Sequence, residues 1–593
     1  MKVLLSGNEA VARGAYESGV VFASAYPGTP STEILENIVQ YDEIYAEWCP
    51  NEKVALDAAI GAAYAGKRAL AAMKHVGLNV AAEALFYSSY TGFEGGLVII
   101  SADDPGMHSS QNEQDNRHYA KFAKVPMLEP TDSQEAKDFV GLALEIGERF
   151  DTPVLLRLST RICHSSALVE LGERKAGKDE PQPFVRNPSK YTMIPGFARR
   201  RRPVMEQRLK DLAGYAETFP YNKVEWGDRS LGIVANGVSY QYAREVFPDA
   251  SFLRLGMSWP LPERLIRDFA SQVDKVVVVE ELDPFLEEHL KMMGVEVAAG
   301  KDFFPIINEF NPGIVRDAAY KAGLVDKTVE VQEIDVGKLP PRPPVLCAGC
   351  PHRPVYYMLK KYGLVVDSDI GCYALAVLPP IATTDTLGCM GASIGVAHGI
   401  NKAGAEERAV ATIGDSTLWH AGMPGLLNVV YNKSNTVTVI LDNLTTAMTG
   451  HQQHPSTGRT LKGEETVKAD FEALARAMGY EEVHTVDPLN LKELEESLKA
   501  CLDSNKPAVL VTRSPCIFLY EERPALYEVD LERCNACDRC FEIGCPAIIR
   551  SEKIHEKSGK AKAEINTILC FGCDVCKQVC ARKAIRVMEE QES

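Results

Sequence analysis

The strongest constraint on this chain lies near its end. "CNACDRCFEIGCP" begins at Cys534 and "CFGCDVCKQVC" at Cys570, so eight cysteines fall in two runs, C-x2-C-x2-C-x4-C-P and C-x2-C-x2-C-x3-C. Three thiolates on one tight loop reach three corners of an iron–sulfur cube, and the fourth ligand has to come from elsewhere. In the two-cluster pattern the fourth cysteine of each run crosses to the other cube. That expectation groups Cys534, Cys537, Cys540 and Cys580 around one [4Fe-4S] cluster, and Cys570, Cys573, Cys576 and Cys545 around a second. Two structural zinc sites, or coincidence, are the other readings of the spacing. A tail carrying two such cubes moves electrons singly, so chemistry upstream must donate them.

The chain has 593 residues, too many for one core; a prior of roughly 150 residues per domain suggests about four domains. With 46% hydrophobic and 24% charged residues it can bury large cores. Its formal net charge of −17 argues against nucleic acid or an anionic membrane as the main partner. The opening "MKVLLSGNEAVARG" reads as neither a secretory signal nor a transit peptide. No stretch reaches the roughly 18 apolar residues of a membrane span, so no membrane partner and a cytoplasmic location are expected. There the 16 cysteines are metal ligands or free thiols rather than disulfides.

Strands and helices alternate along most of the chain, which predicts an α/β, multidomain protein with doubly wound parallel sheets. Residues 1–165 form the first α/β domain, from "VVFASAYPG", "GGLVIISA" and "PVLLRLS". Residues 166–225 are expected to be an irregular connecting segment containing "ARRRRP"; Arg199 to Arg202 there read as a solvated face or a partner contact, with binding of a ligand phosphate as the alternative. A middle α/β domain spans 226–335, with "LGIVANGVS", "SFLRLG" and "KVVVVEEL" as strands. A proline-rich linker covers 336–344, a further α/β domain 345–520, and the cysteine-rich, ferredoxin-like domain 525–593.

Neither a G-x-G-x-x-G after a strand nor a P-loop is present, so no motif supports a nicotinamide, flavin or nucleoside triphosphate source. "IGDSTLWHAGMPGLLNVVYNKSNTVTVILDNLTT" instead puts Gly414 and Asp415 at the end of one strand and Asn443 at the end of the next. Strand ends of a parallel sheet are where ligands bind, and hard oxygens suit Mg²⁺, which can hold a diphosphate. This stretch resembles the thiamine diphosphate motif, with Ser416 and Asp442 departing from it. The resemblance implies that Asp415 and Asn443 bind Mg²⁺ through side chains and Thr445 through its carbonyl. A polar strand–turn–helix is the other reading. A second domain then has to offer a carboxylate to the cofactor's pyrimidine, and "NEKVALDAAIGAAYAG" nominates Glu52; an Asn-Glu helix cap is its alternative.

Together these units, in this order, resemble the 2-oxoacid:ferredoxin oxidoreductases over nearly the whole chain, in particular large (alpha) subunits acting on aromatic 2-oxoacids. The stretches that carry the resemblance include "AYPGTPSTEI", "MKHVGLNVAAE", "CAGCPHRP", "DIGCY", "CMGASIG" and "AMTGHQQHP". It implies two thiamine-diphosphate-binding domains, the middle domain and the two-cluster tail. It further implies oxidative decarboxylation of indolepyruvate- or phenylpyruvate-type acids to the aryl-acetyl-CoA, with coenzyme A as acyl acceptor. Ferredoxin would take the electrons, and a smaller beta subunit would complete the enzyme. By the same resemblance Thr29 and Arg117 lie near the oxoacid, Arg117 as the cation for its carboxylate or else as a surface ion pair. Gly28 would leave room for an aromatic ring. His75, His420, His451 and His454 fall near family motifs without a role of their own. Cys347, Cys350, Cys372 and Cys516 match a third cluster in related enzymes, with free buried thiols as the alternative. Rival readings are a non-redox thiamine diphosphate decarboxylase or carboligase, and a non-catalytic electron-relay subunit.

Overall fold

The computed structural model describes residues 1–175, 183–328, 337, 340 and 342–588. The chain forms two compact units, Met1–Ile334 and Asp335–Ser593. The expected linker at 336–344 lies largely outside the described residues.

The first unit is built on a seven-stranded sheet. Its order is Met257–Trp259, Met127–Leu128, Val154–Ser159, Leu97–Asp103, Ala69–Lys74, Phe22–Ala25 and Tyr45–Trp48. All neighbours run parallel except the Met257–Trp259 edge. The central strands are near-continuous apolar runs because helices cover both faces. The first strand, Lys2–Ser6, stays out of this sheet. It pairs antiparallel with Ser166–Glu170 in a separate ribbon, with Leu4 and Leu168 exposed.

A second sheet, in the order Val297–Ala299, Val276–Val279, Asp228–Asn236, Ala250–Leu255 and Asn222–Glu225, makes the middle domain. The segment expected to be irregular is structured. It contains Ser166–Glu170, the strand Asn222–Glu225 and a 22-residue helix, Pro195–Ala216. That helix carries few apolar residues and an internal Pro203, so it offers no amphipathic stripe to read; tertiary contacts hold it. Its arginines have structural partners: Arg201 and Arg208 both pair with Asp151, at 3.0 and 3.2 Å, and Arg202 with Glu206 at 2.6 Å.

The second unit holds a six-stranded, wholly parallel sheet. Its order is Thr386–Leu387, Val365–Ser368, Ala409–Gly414, Val437–Asp442, Ala508–Arg513 and Glu482–Val486. Gly414 is in register with Leu441, which brings the turns after two central strands side by side. The cysteine-rich tail adds two antiparallel ribbons, Tyr527–Val529 with Ile585–Val587 and Ile548–His555 with Lys560–Ile565. It docks on the sheet domain of the same unit. Gly349 (φ +83°) lies so close to Phe571 that a Cβ would meet its Cβ at 2.6 Å and its ring at 2.7 Å. Among the described residues, no helix is long and apolar enough to cross a membrane.

Candidate active site

In the second unit three segments converge on the turn after Ala409–Gly414. The buried Tyr373 hydroxyl accepts the Gly414 N–H at 2.8 Å and donates to the Ile370 carbonyl at 3.0 Å. Thr417 Oγ1 donates to the same carbonyl at 2.9 Å. Asp369 accepts the N–H groups of Ile370, Gly391 and Ser393 at 2.9, 2.9 and 3.1 Å. It thereby ties "DIGCY" to the start of helix Ala392–Ala403. Residues far apart in sequence are locked around one loop.

Asp415, Asn443 and Thr445 are all buried there. Asn443 Oδ1 faces two further oxygens, Asp415 Oδ2 at 3.2 Å and the Thr445 carbonyl at 3.1 Å. An amide oxygen among acceptors is satisfied by rotating the amide or by a cation among the three oxygens. A carboxylate, an amide and a carbonyl form the hard donor set that suits Mg²⁺. Asp415 Oδ1 accepts the Ser416 N–H, and His454 Nε2 lies 3.2 Å from Oδ2. Asp442, which departs from the motif, turns instead to Arg513, Nε to Oδ2 2.6 Å.

Beside this loop lie Cys347, Cys350, Cys372 and Cys516. The Cys516 N–H donates to the Asn443 carbonyl at 3.0 Å. Burial pushes the Cys350 thiol up to about 12, with Cys347 and Cys372 adding to it. The Cys372 thiol rises to about 11 through burial and then through Cys516 and Cys347. Cys350 and Cys372 each neighbour Cys347, and Cys372 and Cys516 neighbour each other, so the four sulfurs form one group.

Arg353, only 3% exposed, separates this group from the tail. Its Nε donates to the Cys347 carbonyl at 2.8 Å and its Nη1 to the Gly544 carbonyl. Cys545, Cys350, Cys347 and Cys573 are its electrostatic neighbours. Cys545, Cys570, Cys573 and Cys576, together with Cys350, line one space, and Cys534, Cys537, Cys540 and Cys580 line another.

In the first unit, Glu52 opens helix Glu52–Tyr64. Capping falls to Asn51, whose Oδ1 accepts the Val54 N–H at 2.9 Å. The Glu52 carboxylate is buried against Gly77, where a Cβ would come within 2.6 Å of its Oε1. Thr29 is half-buried, and its carbonyl accepts the Ser109 hydroxyl at 3.1 Å.

Two expectations need correction. Arg117 is 1% exposed and its guanidinium is already engaged. It pairs with Asp115 and with Glu280 (Nη1–Oε2 2.5 Å), and its Nη2 donates to the carbonyls of Glu281 and Asp283 at 2.9 and 3.1 Å. It clamps the first sheet to the middle domain and presents no open face to a substrate carboxylate. Gly28 is buried, but the room it leaves is occupied by the Lys74 stem, 3.2 Å from an ideal Cβ. Of the histidines, His75 is held by Asn112 at 3.0 Å and His451 packs on the Phe518 ring. His420 is buried. Lys74, Gly77, Tyr373, Asp369 and Arg353 went unnoticed in the sequence; only their place inside the motif stretches pointed to them.

Comparison with known proteins identifies the domains on which these residues lie. Residues 369–512 match the thiamine pyrophosphate enzyme C-terminal TPP binding domain. Residues 13–210 match the thiamine diphosphate-binding domain of pyruvate flavodoxin/ferredoxin oxidoreductase. The fold and its two cofactor-binding domains therefore define a subunit of a thiamine diphosphate-dependent 2-oxoacid oxidoreductase. Indolepyruvate oxidoreductase subunit IorA of Archaeoglobus fulgidus is 42% identical, over 99% of this chain and 97% of its own length. Those of Pyrococcus horikoshii and Methanothermobacter marburgensis are each 40% identical, over 100% and 99% of this chain and 98% and 97% of theirs. The chain belongs to this family of indolepyruvate oxidoreductase IorA subunits.

Proposed function

We propose that this chain is the catalytic large subunit of an enzyme that oxidatively decarboxylates aromatic 2-oxoacids of the indolepyruvate and phenylpyruvate kind. The products are the aryl-acetyl-CoA and CO₂, and the electrons pass through [4Fe-4S] clusters to ferredoxin. The observation that carries the reading is the convergence of Asp415 Oδ2, Asn443 Oδ1 and the Thr445 carbonyl next to a group of four cysteines. The relatives' names, indolepyruvate oxidoreductase subunit, support an aromatic substrate and a multi-subunit enzyme, in which the partner would be a smaller beta subunit. A cytoplasmic setting fits the cysteine usage.

Thiamine diphosphate, when bound, supplies the carbon nucleophile and electron sink that decarboxylation of a 2-oxoacid needs. Asp415, Asn443 and Thr445 would hold Mg²⁺ against its diphosphate, and Gly414 would let the backbone approach. Glu52 would hold a proton at pyrimidine N1′, its burial excluding water from that hydrogen bond. Thr29 would orient the oxoacid. Cys347, Cys350, Cys372 and Cys516 would hold the cluster nearest the diphosphate loop, Cys545, Cys570, Cys573 and Cys576 the next, and Cys534, Cys537, Cys540 and Cys580 the outermost. The order follows from Arg353 bridging the first two groups and from Cys540 neighbouring Cys576.

The test is an anaerobic assay of the complex with its beta subunit, scanning indolepyruvate, phenylpyruvate, pyruvate and 2-oxoglutarate for coenzyme A-dependent viologen reduction. Preferential reduction with the aryl acids is expected. Aldehyde and CO₂ release with no viologen reduced would make it a non-redox decarboxylase. Failure to bind thiamine diphosphate would leave a relay subunit.

A further inference from the structure

With Arg117 sealed between domains, the substrate carboxylate needs another cation. Lys74 ends strand Ala69–Lys74, immediately before the helix whose Gly77 packs on Glu52. Its methylenes fill the space beside Gly28 in the "YPGTP" loop. Its Nζ donates to the Ser109 carbonyl at 3.0 Å, and the Ser109 hydroxyl donates to the Thr29 carbonyl. Lys74 therefore spans the two features to which the proposed function gives substrate and cofactor roles, the Thr29 loop and the Glu52 helix.

An ammonium has three donors. Among the described residues Lys74 makes one hydrogen bond, so two donors remain for a ligand. Its charged neighbours are Asp104 and Glu52. Asp104 is already satisfied by the Ser109 N–H and the Ser110 and Thr160 hydroxyls at 2.8, 2.7 and 2.7 Å. Burial lowers the Lys74 pKa from its ordinary value, so the ammonium is underpaired and gains by taking an anion.

We infer that Lys74 is the residue that binds the 2-oxoacid carboxylate, with Gly28 kept small so that the lysine stem can lie across the loop. The inference rests on the active-site reading above. The carboxylate's charge disappears as CO₂ departs, so this contact is strongest before the bond breaks. Its loss should raise KM and leave kcat nearly intact.

The experiment uses the holoenzyme complex with Lys74→Met, Lys74→Gln and Lys74→Arg. Phenylpyruvate turnover is measured, together with competitive inhibition by 3-phenylpropionate and by its neutral isostere 3-phenylpropanamide. Losing a charge-assisted hydrogen bond should raise KM, and Ki for the propionate, by about 10- to 100-fold in the Met and Gln variants. Ki for the amide should change by less than about 3-fold, and Lys74→Arg should retain the propionate preference. Equal loss of both inhibitors, or an unchanged KM with a lower kcat, would overturn the inference and make Lys74 a support for the Ser109 loop. Exchange of the cofactor C2 proton separates this from failure of the site itself. If Glu52→Gln exchanges as fast as wild type, the Glu52 reading is at fault. If Glu52→Gln is slow while Lys74 variants keep the carboxylate preference, only the Lys74 assignment fails.

Discussion

Gly77→Ala is the smallest change that should disable the enzyme. The new Cβ would stand 2.6, 2.8 and 2.9 Å from Oε1, Cγ and Cδ of Glu52. The closest approach falls about 0.8 Å short of van der Waals contact. Glu52 is 4% exposed, so its carboxylate has no open space into which to retreat along its present direction and must change rotamer or displace the helix. Misplacing a catalytic group by about 1 Å can cost about 100-fold in rate. We therefore expect kcat and the rate of C2 proton exchange, followed by acid-quench NMR on bound cofactor, both to fall about 100-fold. Gly61→Ala is the control. Gly61 is exposed in helix Glu52–Tyr64 with nothing within 4 Å of its Cβ position, so alanine there should stabilise by about 0.5–1 kcal/mol and leave exchange unchanged. A folded Gly77→Ala enzyme exchanging and turning over at the wild-type rate would refute a role for Glu52 at the cofactor.

Wild-type protein isolated anaerobically should carry about twelve iron atoms per chain, and Cys372→Ala/Cys516→Ala about eight; about eight in both would exclude a third cluster. Arg353→Met removes a buried cation between two cysteine groups. Because positive charge favours the reduced cluster, at least one midpoint potential should fall in an EPR-monitored titration while Arg353→Lys stays near wild type; unmoved potentials would contradict this. Burial raises the Glu281 pKa to about 7 from its ordinary 4.5, so its folded-state penalty appears as pH rises from about 4.5 through 7. Glu281→Gln should gain up to about 3 kcal/mol over wild type at pH 8 and little at pH 4.5, read from denaturant unfolding; a gap independent of pH would refute it.

What could be read from sequence was what is local. The cysteine runs are legible because their spacing alone limits what they can hold, and the Asp415 and Asn443 turns because each ends a strongly apolar strand. Arg117 misled because its partner Glu280 is 163 residues away; an arginine in a motif looks like a ligand until its carboxylates are seen. Gly28 invited an argument about an empty pocket, but the residue that fills it, Lys74, comes from another strand. The Pro195–Ala216 helix was hidden because its five arginines and Pro203 erase the apolar period, while Asp151, which pairs with Arg201 and Arg208, lies far upstream. The pairing of Lys2–Ser6 with Ser166–Glu170 could not be read locally, because the two strands lie more than a domain apart in sequence.

The most direct test is rapid-freeze EPR of the oxidised, thiamine diphosphate-loaded complex mixed anaerobically with phenylpyruvate. Wild type should show a reduced-cluster signal within one turnover, and Asp415→Ala, with its iron content intact, should show none. Equal cluster reduction in both proteins would contradict the account, because electrons would then reach the cysteines without the cation-held diphosphate at Asp415, Asn443 and Thr445.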